Sequence, residues 1–146
     1  MSIIADYHVH THLCKHAKGL PEEYLAQARK MGIKSLGFAD HCPVPDGYDP
    51  INRMYLHEYG KYIDMITDLK NSCNDIDILF GMEVDWVPGR MNEVEDFLSK
   101  TEYDYLLGSI HFVDDLPFDH PDHIQTWNTE ERIEYVWKRY FELMID

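Results

Sequence analysis

Four short apolar runs alternate with helical patterns along the 146-residue chain, and this alternation constrains the fold more than any other feature. The runs are "SIIADYHV", "IKSLGFADH", "IDILFGMEVDW" and "YDYLLGSIHFV". After the first, "PEEYLAQARKMG" puts Tyr24, Leu25, Ala28 and Met31 on one helical face, with Pro21 in the first turn and Gly32 as the stop. A second stripe, Tyr55, Tyr59, Tyr62, Ile66, Leu69 and Cys73, steps by four and three and reads as core. In "GRMNEVEDFLSK" the helical spacing turns Met91, Val94 and Leu98 inward. The last stripe, Ile133, Val136, Trp137, Tyr140 and Met144, follows a capping-box-like start at Asn128 and Glu131. "CPVPDGYDP" and "DDLPFDHPDH" are dense in turn residues and read as loops. Four successive strand-helix units predict an α/β fold with a parallel sheet and right-handed crossovers.

The ends of the runs carry the chemistry. The first ends in His8 and His10, the second in Asp40-His41, the third in Glu83 and Asp85, and the fourth in His111. In parallel α/β folds, sites are built at that end of the strands. His8 and His10 are two apart, so on a strand both imidazoles point to one side. His16, on the following loop, can fold back over the site with His41. Glu83 can bridge ions and balance their charge. Imidazole mixed with carboxylate suits Zn, Fe or Mn better than Ca or Mg. Taken singly, each of these histidines would read as a hydrogen-bonded loop residue; four strand ends in agreement read as a site.

Other groups have plainer readings. Asp40 is either an acid that orients a neighbouring imidazole or a structural turn acid. Asp85 reads as a strand-end cap. Cys14 and Cys42 read as small buried packing residues, although thiolates also bind zinc. His12 takes a loop position, His57 a surface helix position, and His120 and His123 a solvated acidic loop.

Composition narrows the function. Apolar content of 45% and 13% aromatics indicate a globular chain. No apolar run approaches the ~18 residues of a membrane span. Three widely spaced cysteines and the absence of an export signal suit the cytoplasm. A formal charge of −14 argues against nucleic-acid or anionic-membrane partners. It leaves room for a small phosphorylated substrate, because bound cations reverse the local field.

"DYHVHTHLCKH", "GFADHCP", "GMEVDW" and "LLGSIHFV", in this order, resemble the polymerase and histidinol phosphatase (PHP) superfamily, in its histidinol-phosphatase branch. The resemblance covers nearly the whole chain. It implies a distorted (β/α)7 barrel, of which these four βα units resemble the first half, with up to three metal ions at the mouth. It also implies that His8, His10 and Glu83 hold the first ion, Glu83 and His111 the second, and His16 and His41 the third. The implied reaction is phosphoester hydrolysis, converting histidinol phosphate to histidinol and phosphate in histidine biosynthesis. The candidate catalytic residues are Glu83, bridging ions that supply the attacking water, and Asp40, beside His41 where a leaving-group proton could originate.

The family's later ligands have no counterpart after His123, since the final "WNTEERIEYVWKRYFELMID" is helical in pattern and lacks histidine. Residues 1–146 are therefore expected to form a single PHP-like metal-binding domain, incomplete at its C-terminus. Such a half barrel leaves edge strands that predict self-association, a complementary half, or an open flavodoxin-like sheet that relieves the edge another way. The alternatives are a non-catalytic fragment needing a partner segment and a PHP phosphoesterase with another substrate. A nuclease-type relative and an amidohydrolase-like C–N hydrolase fit the charge and motifs less well.

Overall fold

The computed structural model describes residues 4–114, 116–117 and 120–145. The expected strand residues Ser2 and Ile3, and Asp115, Phe118 and Asp119 of the acidic loop, lie outside the described residues. Each of the four runs forms a strand: β1 (Ala5–Val9), β2 (Ser35–Phe38), β3 (Asp77–Asp85) and β4 (Tyr105–Ser109). They join one sheet in the order β1-β2-β3-β4. The β1–β2 and β2–β3 pairs are parallel. The Asp104 N–H meets the Phe80 carbonyl and the Trp86 N–H meets the Ser109 carbonyl, both at 2.8 Å, so β4 runs the same way. Helices α1 (Pro21–Met31), α2 (Tyr59–Ser72) and α3 (Met91–Leu98) fill the crossovers. The fold is the expected α/β arrangement of four parallel strand-helix units.

The chain divides into two compact units, Met1–Val84 with Gly89–Leu107, and Asp85–Pro88 with Gly108–Asp146. The first unit holds a continuous apolar core of Leu25 and Ala28 from α1, Leu36 and Phe38 from β2, Tyr62, Ile66 and Leu69 from α2, Ile78 and Met82 from β3, and Val94 from α3. The Tyr62 hydroxyl is buried with that core. It lies 2.9 Å from the Phe38 carbonyl and 2.8 Å from the Gly81 carbonyl, and accepts from the Asp40 N–H at 3.3 Å. On β4, Tyr105 lies across Gly81 and Gly37 and donates from its hydroxyl to the Tyr7 carbonyl at 2.7 Å. A Cβ at either glycine would fall inside the van der Waals envelope of that ring.

Several helix details differ from the sequence reading. Met31 is exposed, because Gly32 in the left-handed conformation ends α1 beside it. Tyr55 is also exposed: the Glu58 carboxylate takes the Tyr55 N–H at 2.9 Å, a 3-10 turn covers Leu56–Glu58, and α2 begins only at Tyr59.

In the second unit, the fourth run stops as β4 at Ser109, and Phe112–Val113 (β5) pairs antiparallel with Leu116–Pro117 (β6). The acidic segment therefore carries a hairpin strand and a short helix, α4 (Pro121–Ile124). Helix α5 (Glu130–Met144) is capped by Thr129, whose hydroxyl accepts from the Arg132 N–H at 3.2 Å, not by Asn128. Within its stripe Val136 is buried, whereas Ile133, Trp137 and Met144 are exposed. Among the described residues, no helix is long and apolar enough to cross a membrane.

Candidate metal centre

The site of the first unit forms where β1, β2 and β3 end. β1 carries a bulge: Asp6 pairs with Leu36 but Val9 with Phe38, so Tyr7 and His8 together face Gly37. The Asp6 carboxylate takes the His8 N–H at 3.1 Å. Past the end of β2 the pairing resumes as an isolated parallel bridge between His41 and Glu83, with the Glu83 N–H on the Asp40 carbonyl and the Cys42 N–H on the Glu83 carbonyl. That bridge sets the two side chains side by side.

Glu83 is the centre of the group. Its Oε2 lies 3.0 Å from His8 Nε2, 3.3 Å from His10 Nε2 and 3.1 Å from His41 Nδ1. The carboxylate is 2% exposed while His8 keeps half its surface in solvent, so the cluster is closed below and open above. The His16 ring returns over it, 4.9 Å from His10 and 5.2 Å from His41 between centroids, with His10 stacked on His41 at 4.7 Å. The donor triplets of this unit are His8–His10–Glu83, His10–His16–His41 and His10–Cys14–Asp40, each with its ligand atoms within 4.8 Å of one another. Borderline nitrogen donors with one carboxylate fit a divalent transition ion.

Five of the six expected ligands, His8, His10, His16, His41 and Glu83, thus come together in one unit. His111 lies in the other unit. There its Nδ1 makes a short hydrogen bond with Asp85 Oδ1, which also accepts from the Ser109 hydroxyl at 2.7 Å. Asp85 is therefore more than a strand-end cap. Its equal parity with Glu83 on β3 was the available sequence signal.

Asp40 is fully buried and takes two hydrogen bonds from Thr11, and its Oδ1 lies 4.0 Å from His10 Nδ1. Burial raises its carboxyl above the usual range, and the Thr11 bonds oppose that rise. Cys14 is wholly buried; burial and the nearby Asp40 charge push its thiol far up, so it stays neutral, and its sulfur accepts from the His41 N–H at 3.1 Å. Cys42 is buried as well, and both cysteines match their packing role. His12 and His57 are exposed. His120 caps α4 by accepting from the Asp122 N–H at 3.3 Å. Sequence reasoning missed Thr11, whose only signal was its place between His10 and His12.

A strand-end cluster of imidazoles around a carboxylate, on parallel strand-helix units, defines a metal-site α/β domain. The PHP domain profile matches residues 6–146, and the chain belongs to that family. It is 34% identical over 145 residues to a protein of Deinococcus radiodurans named "Probable histidinol-phosphatase", covering 99% of this chain and 55% of that one. To the histidinol-phosphatase of Bacillus subtilis it is 31% identical, covering 74% of this chain and 44% of that one. Two solved structures share the fold. One is a candidate histidinol phosphatase from Listeria monocytogenes, with a TM-score of 0.78 and 20% identity over 91% of this chain and 58% of that chain. The other is the histidinol phosphate phosphatase of Lactococcus lactis, complexed with zinc, L-histidinol and phosphate, with a TM-score of 0.61 and 24% identity over 78% of this chain and 42% of that chain. The chain spans about half the length of the curated relatives it matches.

Proposed function

We propose that this chain serves a cytoplasmic, metal-dependent phosphomonoester hydrolase acting on histidinol phosphate and releasing histidinol and phosphate in histidine biosynthesis. The observation that carries the reading is the convergence of His8, His10 and His41 on one buried Glu83 oxygen. Membership of the PHP family and the histidinol-phosphatase relatives support the substrate.

His8, His10 and Glu83 would hold one ion, and His16 and His41, with His10, a further one. His111 is assigned to the ion shared with Glu83 by family resemblance. Zn, Mn or Fe suit these donors, in up to three positions. Such ions supply an activated water at neutral pH and offset phosphoryl charge. Glu83 contributes the negative charge that draws them in and fixes three imidazoles around one point. His8, half open to solvent, faces the side from which substrate arrives. Asp40 acts from behind: buried against Thr11, it steadies His10 without reaching substrate.

The test uses chelator-stripped protein reloaded with Mn2+ and assayed for phosphate release from histidinol phosphate. Glu83→Gln keeps the side-chain shape and should lower turnover by at least about 100-fold. Equal turnover in wild type and E83Q would sink the assignment.

A second reading, that the chain needs a complementary segment, is favoured by the exposed apolar residues of α5, with Trp137 44%, Phe141 57% and Met144 58% exposed. Under it, turnover appears only when the second half of a longer relative is added.

A further inference from the structure

Thr11 is fully buried although its side chain is polar. Its N–H donates to Asp40 Oδ1 and its hydroxyl to Asp40 Oδ2, both at 2.5 Å. The same hydroxyl oxygen accepts from the Leu13 N–H at 3.2 Å and caps the 3-10 turn His12–Cys14. Three residues on, the Cys14 sulfur takes the His41 N–H, and Lys15 adopts a left-handed φ of 64° that turns the chain back. His16 comes next. A buried carboxylate is costly without donors, so the paired Thr11–Asp40 bonds admit few alternative loop paths.

We infer that Thr11 is a positioning residue: by locking the loop after β1 onto Asp40 it holds His16 against His10 and His41 as an ion-binding group, separable from the group of His8, His10 and Glu83. This rests on the reading that the centre binds divalent ions. The lock acts through Asp40 and the loop; the Thr11 hydroxyl is spent on Asp40 and Leu13 and is not itself a ligand.

The test is titration of the full chain with Zn2+ against a chromophoric chelator, in wild type and in the variants H16A, H8A, T11V and T11S. H16A identifies the affinity that depends on His16, and H8A the affinity that depends on His8. Thr11→Val replaces the hydroxyl by a methyl and should weaken the His16-dependent affinity about 10- to 100-fold. The His8-dependent affinity should change by less than about threefold, because the Thr11 hydroxyl bonds Asp40 and Leu13 and neither His8 nor Glu83. Thr11→Ser keeps the hydroxyl and should restore the wild-type value. Equal weakening of both affinities, no weakening, or failure of T11S to restore binding would each overturn the inference. Where T11V does not fold, Thr11→Ala removes the same hydroxyl without touching Asp40 or His10, and it must show the same selective loss. A wild type that binds no Zn2+ would defeat the ion-binding reading itself, whereas normal wild-type binding with an unchanged T11V defeats only the lock.

Discussion

Asp85 illustrates how one carboxylate fixes an imidazole. With His111 Nδ1 on its Oδ1, the ring proton is drawn to Nδ1. Asp85→Asn should therefore raise the population of the Nε2–H tautomer, read from the 15N shifts of His111 in histidine-labelled protein. Unchanged shifts would remove Asp85 from this role. The Ser109 hydroxyl, also on Asp85 Oδ1, holds the carboxylate in place, so Ser109→Ala should give a weaker shift in the same direction. Glu83 and Asp85, two apart on β3, have equal parity in the sequence. That Asp85 turns to His111 while Glu83 gathers His8, His10 and His41 is a tertiary result.

Among the elements, the sheet of the first unit is tied at both faces by tyrosines. Tyr62 of α2 reaches the backbone of β2 and β3 from the helix side, and Tyr105 crosses Gly81 and Gly37 to reach β1. Gly37→Ala should cost about 1–3 kcal/mol of stability by overpacking against the Tyr105 hydroxyl. The cost should shrink in a Tyr105→Phe background, measured by denaturant unfolding. An equal cost in both backgrounds would exclude the clash. Asp104 makes a separate tie before β4, accepting from the Phe80 N–H and the Lys70 ammonium, both at 2.7 Å. Partial burial raises its carboxyl, but the Lys70 and Phe80 hydrogen bonds outweigh that and leave it below the usual range. A depressed folded value means stability that is present above the unfolded pKa and lost as pH falls through the folded one. Asp104→Asn should thus cost about 1 kcal/mol at pH 7, the modest figure reflecting a partly exposed ion pair. The deficit should shrink as pH falls below the ordinary carboxylate range and vanish once Asp104 is protonated in the folded protein. A deficit that persists there would exclude the charge as its source.

At the scale of the molecule, β1 and β4 end the sheet order, and α5 leaves Ile133, Trp137, Phe141 and Met144 exposed. Sheet edges and apolar faces of this kind favour association. Light scattering should show concentration-dependent self-association in wild type, and Trp137→Ser with Phe141→Ser should shift the population toward monomer. A wild type that stays monomeric at every concentration tested would count against association through α5. The helix was legible as an amphipathic stripe, but its periodicity alone could not say that only Val136 of that stripe would be buried with the described residues.

By itself, the sequence determined the alternation of strands and helices, the order of the units and the side of the sheet on which chemistry gathers. Those follow from local periodicity and from ligand-type residues placed at run ends. Only the tertiary structure decided that three imidazoles share one Glu83 oxygen, that a bulge at Tyr7–His8 and a bridge at His41–Glu83 set them there, and that Thr11 closes on Asp40. These are contacts between residues 29 to 75 positions apart, and no local pattern encodes a register across that distance.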